Sequence, residues 1–158
     1  METPLELAES QLIDLEKELN NLKLQSESKQ AERILSNHGW MTIVFEEKLI
    51  PKSKNFKDSL VKIKNSYGNS FKMTTQFDAP LAHCDEIHKL LNELLYLYKI
   101  RANSIDLKLK FNNNIPKIMN NFNSLRNRFY IVKGNVSRTN KVDEEDFSFQ
   151  PLPLFCQL

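Results

Sequence analysis

Apolar residues recur along the first third of the chain in steps of three and four: Leu5, Ala8, Leu12, Leu15, Leu19 and Leu22. That spacing makes a narrow seam on one helix face, which leaves water only against another helix. The charged residues Glu6, Glu9, Asp14, Glu16, Lys17, Glu18 and Lys23 fall mostly outside it. The pattern predicts a coiled-coil stalk over residues 1–36 that pairs with a second copy or a like chain. Its phase weakens at Ser26, Lys29, Arg33 and Ser36 and recovers at Trp40, Ile43 and Ile50. The favoured reading therefore carries one helix on to residue 50, with Pro51 closing it. A rival reading stops the helix at 37–39, beside Gly39, and makes 41–45 a strand.

Phe56, Leu60, Ile63 and Tyr67 predict a short helix, with Ser53 as its N-cap and Gly68 at its C-terminal end. Residues 70–77 read as loop or edge strand. Asp78 and Pro80 open a longer helix, along which Leu81, Cys84, His88, Leu91, Leu95, Tyr98, Ala102, Ile105 and Leu109 keep the three–four step. Ile87, Leu90, Leu94 and Leu97 widen that stripe, which marks a core helix. Residues 105–111 also alternate as a strand would, but the continuous heptad favours helix. A last helix follows the Asn112–Asn114 run, with Ile115, Ile118, Phe122, Leu125, Phe129 and Val132 on one face, Pro116 in its first turn and Gly134 at its end.

The expected fold class is thus all-α: an N-terminal dimeric coiled-coil stalk leading into a small helical globular domain over 37–134. Residues 135–158 form a mobile linker and an apolar tail. The alternative is an α+β domain after the coiled coil, with strands at 41–45, 70–77 and 105–111. Trp40 and Ile43 continue the seam of Leu5, Leu12, Leu15, Leu19 and Leu22 into the body, as dimerisation residues and as the anchor of the stalk.

Charge changes the picture. The 158 residues carry a net +2, but residues 1–32 hold eight acids against three lysines. Residues 48–72 hold seven lysines against Asp58, and residues 99–133 hold eight bases against Asp106. An acidic stalk thus precedes a basic body. Lys48, Lys52, Lys54, Lys57, Lys62, Lys64 and Lys72 flank the 56–67 seam without interrupting it, and read either as a solubilising surface or as a dock for an acidic protein partner. Arg101, Lys108, Lys110, Lys117, Arg126, Arg128 and Lys133 could extend the patch. Arginine is scarce and the aromatics lie mostly on seams, so nucleic acid is the disfavoured partner.

Little else points to chemistry. His83, Cys84 and His88 are the one cluster of metal-ligand types, but structural zinc takes four ligands and only His38 and Cys156 remain to complete a set. A buried cysteine and a packed histidine explain them better, and no metal or cofactor is expected. The three glycines form no phosphate-cradling loop, and no nucleophile elbow or His-Glu-x-x-His occurs, so the expectation is no enzyme. The two cysteines suggest reduced thiols inside the cell, and no apolar run approaches the ~18 residues of a membrane span. The opening residues run straight into a heptad, as in a segment of a longer coiled-coil protein. The last twelve residues, with Phe149, Leu152, Leu154 and Phe155 around two prolines, are too apolar for an idle tail. They either dock back on the helical core or serve a partner as an extended motif.

The heptad of residues 5–22, the lysine cluster of 48–72 and the seam of 81–109 together resemble the C-terminal domains of fungal spindle pole body coiled-coil linker proteins. That resemblance implies an all-helical homodimer that targets a spacer to the cytoskeleton through its basic surface. A kinetochore-type heteromeric subunit is the second expectation, and a nucleic-acid-binding module the third.

Overall fold

Thr3 starts the first helix, α1 (Pro4–Glu27): its hydroxyl accepts the Glu6 N–H at 3.1 Å, while the Glu6 carboxylate accepts the Thr3 N–H at 3.0 Å. The computed structural model describes the backbone of residues 2–145 and the side chains of residues 2–138. Every regular element among the described residues is helical. The all-α expectation therefore holds, and the candidate strands at 41–45, 70–77 and 105–111 are helical but for Ser70, which caps the helix that follows it.

Helix boundaries differ from the sequence reading in informative ways. α1 stops at Glu27, and a turn separates it from α2 (Ala31–Leu35). The stretch where the heptad weakens is thus a break between helices, and the single helix to residue 50 does not form. Asn37 then caps α3 (His38–Ile43) by accepting the Trp40 N–H at 3.1 Å, so Gly39 lies in a first turn and ends nothing. Pro51 does not close the segment either. The turn at Val44–Leu49 widens into a π-helix, with the Ile50 N–H bonded to the Phe45 carbonyl five residues back. A proline ring collides with the carbonyl four residues behind it, and the wider turn moves that carbonyl away, so α4 (Ile50–Asn65) continues the same rod. Ser53 is buried within α4 and caps nothing. Gly68 does sit in the left-handed region after the helix, at φ 57°.

The short α5 (Phe71–Thr74) and a 3₁₀ turn at Thr75–Phe77 lead into α6 (Asp78–Lys99). The predicted seam from Leu81 to Leu109 is cut after Lys99. Arg101 adopts φ 57°, and the Ala102 N–H reaches back to the Leu97 carbonyl at 2.9 Å, closing α6 as a glycine usually does. Asn103 accepts the Asp106 N–H at 2.9 Å and starts α7 (Ser104–Glu145). α7 runs through Pro116, expected in a first turn, and through Gly134, expected at the helix end.

Contacts arrange the long helices in a ring, α1 beside α4, α4 beside α6, α6 beside α7, and α7 beside α1. Every neighbouring pair is antiparallel, as its cross-links show. Residues 11 and 14 of α1 meet 59 and 52 of α4, Lys57 and Lys64 meet Asp85 and Asp78, and Glu9 and Glu16 meet Lys133 and Arg126. The result is an up-down-up-down four-helix bundle.

Ala8, Leu12, Leu15, Leu19 and Leu22 are at most 1% exposed within the single chain. Residues 1–36 are therefore not a projecting stalk. The seam that read as a dimer interface is one wall of the chain's own core, so pairing with a second copy through it would require opening the bundle. Phe56 meets Phe129 across the centre at 5.6 Å, and Phe45 meets Phe111 at 6.3 Å. On α7 the buried face is Leu107, Phe111, Ile115, Ile118, Phe122, Leu125, Phe129, Val132 and Val136, while Ile105 and Leu109 are exposed. Each fully buried apolar side chain contributes ~1.5–3 kcal/mol relative to exposure, which offsets the ordering of four helices.

Candidate interaction surfaces

The acids of α1 and the bases of α4 and α7 neutralise one another. Lys52 donates to Asp14 and Glu18, both at 3.0 Å, across the α1–α4 seam. Partial burial works against the Lys52 charge, and the two carboxylates outweigh it, holding the ammonium above the usual lysine range. Lys57 pairs with Asp85 and Lys64 with Asp78 across α4 and α6; the hydrogen bond to Asp85 raises the Lys57 ammonium. Lys54 pairs with Asp58 one turn along its own helix at 3.1 Å. On α7, Lys110 meets Glu93, Arg126 meets Glu16, and Lys133 meets Glu9. The Lys133 ammonium, then the Tyr130 hydroxyl, hold the Glu9 carboxyl below the usual carboxylate range.

This corrects the basic dock. Lys52, Lys54, Lys57 and Lys64 are engaged within the chain, so the seven lysines do not form one open patch. Lys48 lies 5.7 Å over the Trp40 ring, Lys62 lines a groove with Ile63, Tyr67 and Val136, and Lys72 lines a shallow hollow with Gln76 and Arg138. Exposed pairs of this kind stabilise by ~0–1 kcal/mol each. Their larger effect is on register, since each helix neighbour is matched in charge.

The dimerisation residues separate into two sets. Leu12, Leu15, Leu19 and Leu22 are buried and Leu5 is half-buried, whereas Trp40 is 45% and Ile43 44% exposed. Trp40 is therefore not the buried anchor expected. The end of the bundle formed by α2, α3, the close of α6 and the start of α7 also exposes Leu24, Tyr96, Ile100, Ile105 and Leu109. Beneath that end His38 stands edge-on to Tyr98 at 5.3 Å, and the Tyr98 hydroxyl donates to the Leu35 carbonyl at 2.7 Å, tying α2 to α6. Burial pushes the Tyr98 phenol up. Among the described residues the buried His38 Nε2 has no hydrogen-bond partner.

His83, Cys84 and His88 do not converge. His83 Nδ1 lies 2.9 Å from the Asn121 side-chain oxygen, and Cys84 is buried in the core, its thiol pushed up to about 12 by burial. Among the described residues no three His, Cys, Asp or Glu side chains are placed to share a metal ion. Nor is any of their helices long and apolar enough to cross a membrane. The tail residues Phe149, Leu152, Leu154 and Phe155, with Cys156, lie outside the described residues.

Asn114 escaped the sequence reading. It is fully buried, and its side-chain amide donates to the Leu90 carbonyl at 3.2 Å and to Glu93 at 3.1 Å. Its place between Phe111 and Ile118 in the three–four step was the available signal; the surrounding asparagine run hid it. Comparison with family models, with curated proteins and with solved structures returns no match.

Proposed function

We propose that this chain is a non-enzymatic scaffold module that holds a partner within a larger assembly. The observation that carries the reading is that seven of the twelve exposed large apolar side chains among the described residues, Trp40 and Ile43 among them, belong to the segments at one end of the bundle. Single exposed leucines need no explanation, but a concentration of aromatic and aliphatic side chains toward one end favours an interaction site. Lys48 on the Trp40 ring, with Arg101 and Lys108 near Ile100 and Ile105, favours an apolar partner segment flanked by acids. The acidic partner thus moves from the α4 lysines to the Trp40 end. Engagement of so many cations in interhelical pairs weighs against a nucleic-acid partner, which takes a continuous basic track. The resemblance to pole-body linkers makes a cytoskeletal assembly the first to test.

The test is co-sedimentation of the full chain with the assembly in cell extract. A Trp40→Ala/Ile43→Glu variant is expected to melt like the parent yet stay in the light fractions. Reversing Lys54, which pairs only along its own helix, is expected to leave sedimentation unchanged. Retention of the double variant in the heavy fractions would overturn the reading.

A further inference from the structure

The turn after α1, the helix α2 and the first turns of α7 enclose a cleft of about 360 Å³. Part of its lining is dry: Leu35 and Phe111 are 4% and 1% exposed, and Ile105 adds an apolar wall. The rest is polar, with Ser28 and Lys29 from the turn, Ser36 from the end of α2, and Ser104 and Lys108 from α7. These donors are not spent inside the chain. Among the described residues the side chains of Lys29, Lys108, Ser36 and Ser104 have no hydrogen-bond or ion-pair partner. Ser28 Oγ accepts the Gln30 N–H at 3.2 Å and keeps its own hydrogen to give. Ser26 is the exception, since its hydroxyl donates to the Lys23 carbonyl at 2.8 Å. Glu32 is the one acid of the lining, and it pairs with neither lysine. Two ammonium groups against one carboxylate leave the cleft positive.

We propose that this cleft binds a compact organic phosphate, with the apolar body on Leu35, Phe111 and Ile105 and the phosphoryl oxygens on Lys29, Lys108 and the serine hydroxyls. Size fits: at ~30 Å³ per non-hydrogen atom the cleft holds roughly a dozen, within the ~300–1,000 Å³ of small-molecule sites. The mixture fits too, since such sites combine apolar walls with a few convergent polar groups. A phosphate monoester carries a charge of about −1.5 to −2 near neutral pH and three acceptor oxygens, so it can take donors from the turn, α2 and α7 together. A carboxylate, with two oxygens and one charge, would satisfy fewer of them. Glu32 opposes the anion and limits its affinity. Neither Trp40 nor Ile43 lines the cleft, so the site stands apart from the scaffold reading.

The experiment titrates the isotope-labelled full chain with phenyl phosphate and follows the backbone amide signals. One saturable set of shifts is expected at residues 28–36 and 104–112. Inorganic phosphate should shift the same amides with weaker affinity, and benzyl alcohol should give no saturable shift. Lys29→Ala and Lys108→Ala should each weaken phenyl phosphate about two- to fivefold, and Glu32→Gln should strengthen it by a similar factor. All three positions are exposed, so the variants are expected to keep the parent spectrum elsewhere. Ile105→Ser, also at an exposed position, should weaken phenyl phosphate and leave inorganic phosphate unchanged. Shifts that fail to saturate would overturn the proposal, as would shifts that spread equally to exposed lysines elsewhere, such as Lys17 and Lys89, or that ignore Lys29→Ala and Lys108→Ala. Equal affinity for phenyl phosphate and inorganic phosphate would show an anion held by surface charge alone, which also overturns it.

Discussion

Leu15→Ala separates a bundle helix from a stalk. Leu15 is 1% exposed in the middle of α1, between Leu12 and Leu19, and faces the core shared with α4 and α7. Removing three carbons from such a site forfeits their burial and leaves a cavity, at a cost of ~2–5 kcal/mol. Against a total stability of ~5–15 kcal/mol, even the lower figure is a large fraction. At ~2–4 °C per kcal/mol for a chain of this size, a loss of ~3 kcal/mol lowers the melting temperature by ~6–12 °C. The assay is helical circular dichroism against temperature and against urea, at protein concentrations spanning a hundredfold. The whole signal is expected to melt in one step, earlier than the parent, with a midpoint independent of concentration. Ile13→Ala, two residues away but 55% exposed, is the control and should fall within ~0.5 kcal/mol of the parent. Two outcomes refute the reasoning: a body that melts unchanged while a smaller helical phase is lost, or a midpoint that shifts with dilution.

Two further substitutions probe local features. Arg101 holds a left-handed φ of 57° at the end of α6, a conformation costing a side chain ~1–2 kcal/mol, so Arg101→Gly should raise the urea midpoint, by the equivalent of up to ~1 kcal/mol of stability after glycine's own entropy cost; a lower midpoint would show that its side chain matters more than its backbone. The Cys84 thiol titrates near 12 when folded but in the ordinary range when unfolded, so the folded state keeps a proton that the unfolded state loses. Its contribution is complete below the ordinary thiol range and is lost as pH rises toward 12. Stability should therefore fall more steeply with pH in the parent than in Cys84→Ala, by at most ~1.4 kcal/mol per pH unit; parallel pH profiles would contradict the assignment.

Much of the core was legible in the sequence. The seam from Leu5 to Leu22, the double row on α6 and the Ile115–Val132 row name residues that do form it, because the three–four step records which face is dry. What the step does not record is whose helix dries it. A heptad buried by α4 and α7 of one chain reads the same as a heptad buried by a second copy, and from that ambiguity came the stalk. The charge segregation had the same double meaning. Of the acids on residues 1–32, Glu9, Asp14, Glu16 and Glu18 pair with bases of α4 and α7 across the chain's own helix seams, and Lys57, Lys64 and Lys110 pair with acids of α6. Boundaries were missed where local chemistry overrides the pattern: a π turn carries the helix past Pro51, and Arg101 takes a glycine's conformation. Of the candidate site residues, Trp40 and Ile43 were named for their spacing and prove notable for the opposite reason, since they point outward.

Native-state hydrogen exchange of the α1 amides tests the central claim, that one chain buries its own heptad, most directly. If it does, amides in the stretch from Leu12 to Leu22 open only with the whole bundle, at the same free energy as the core of α6 and α7, and dilution leaves their protection unchanged. Exchange of those amides well before the α6 and α7 core, or protection that decays on dilution, would contradict the account.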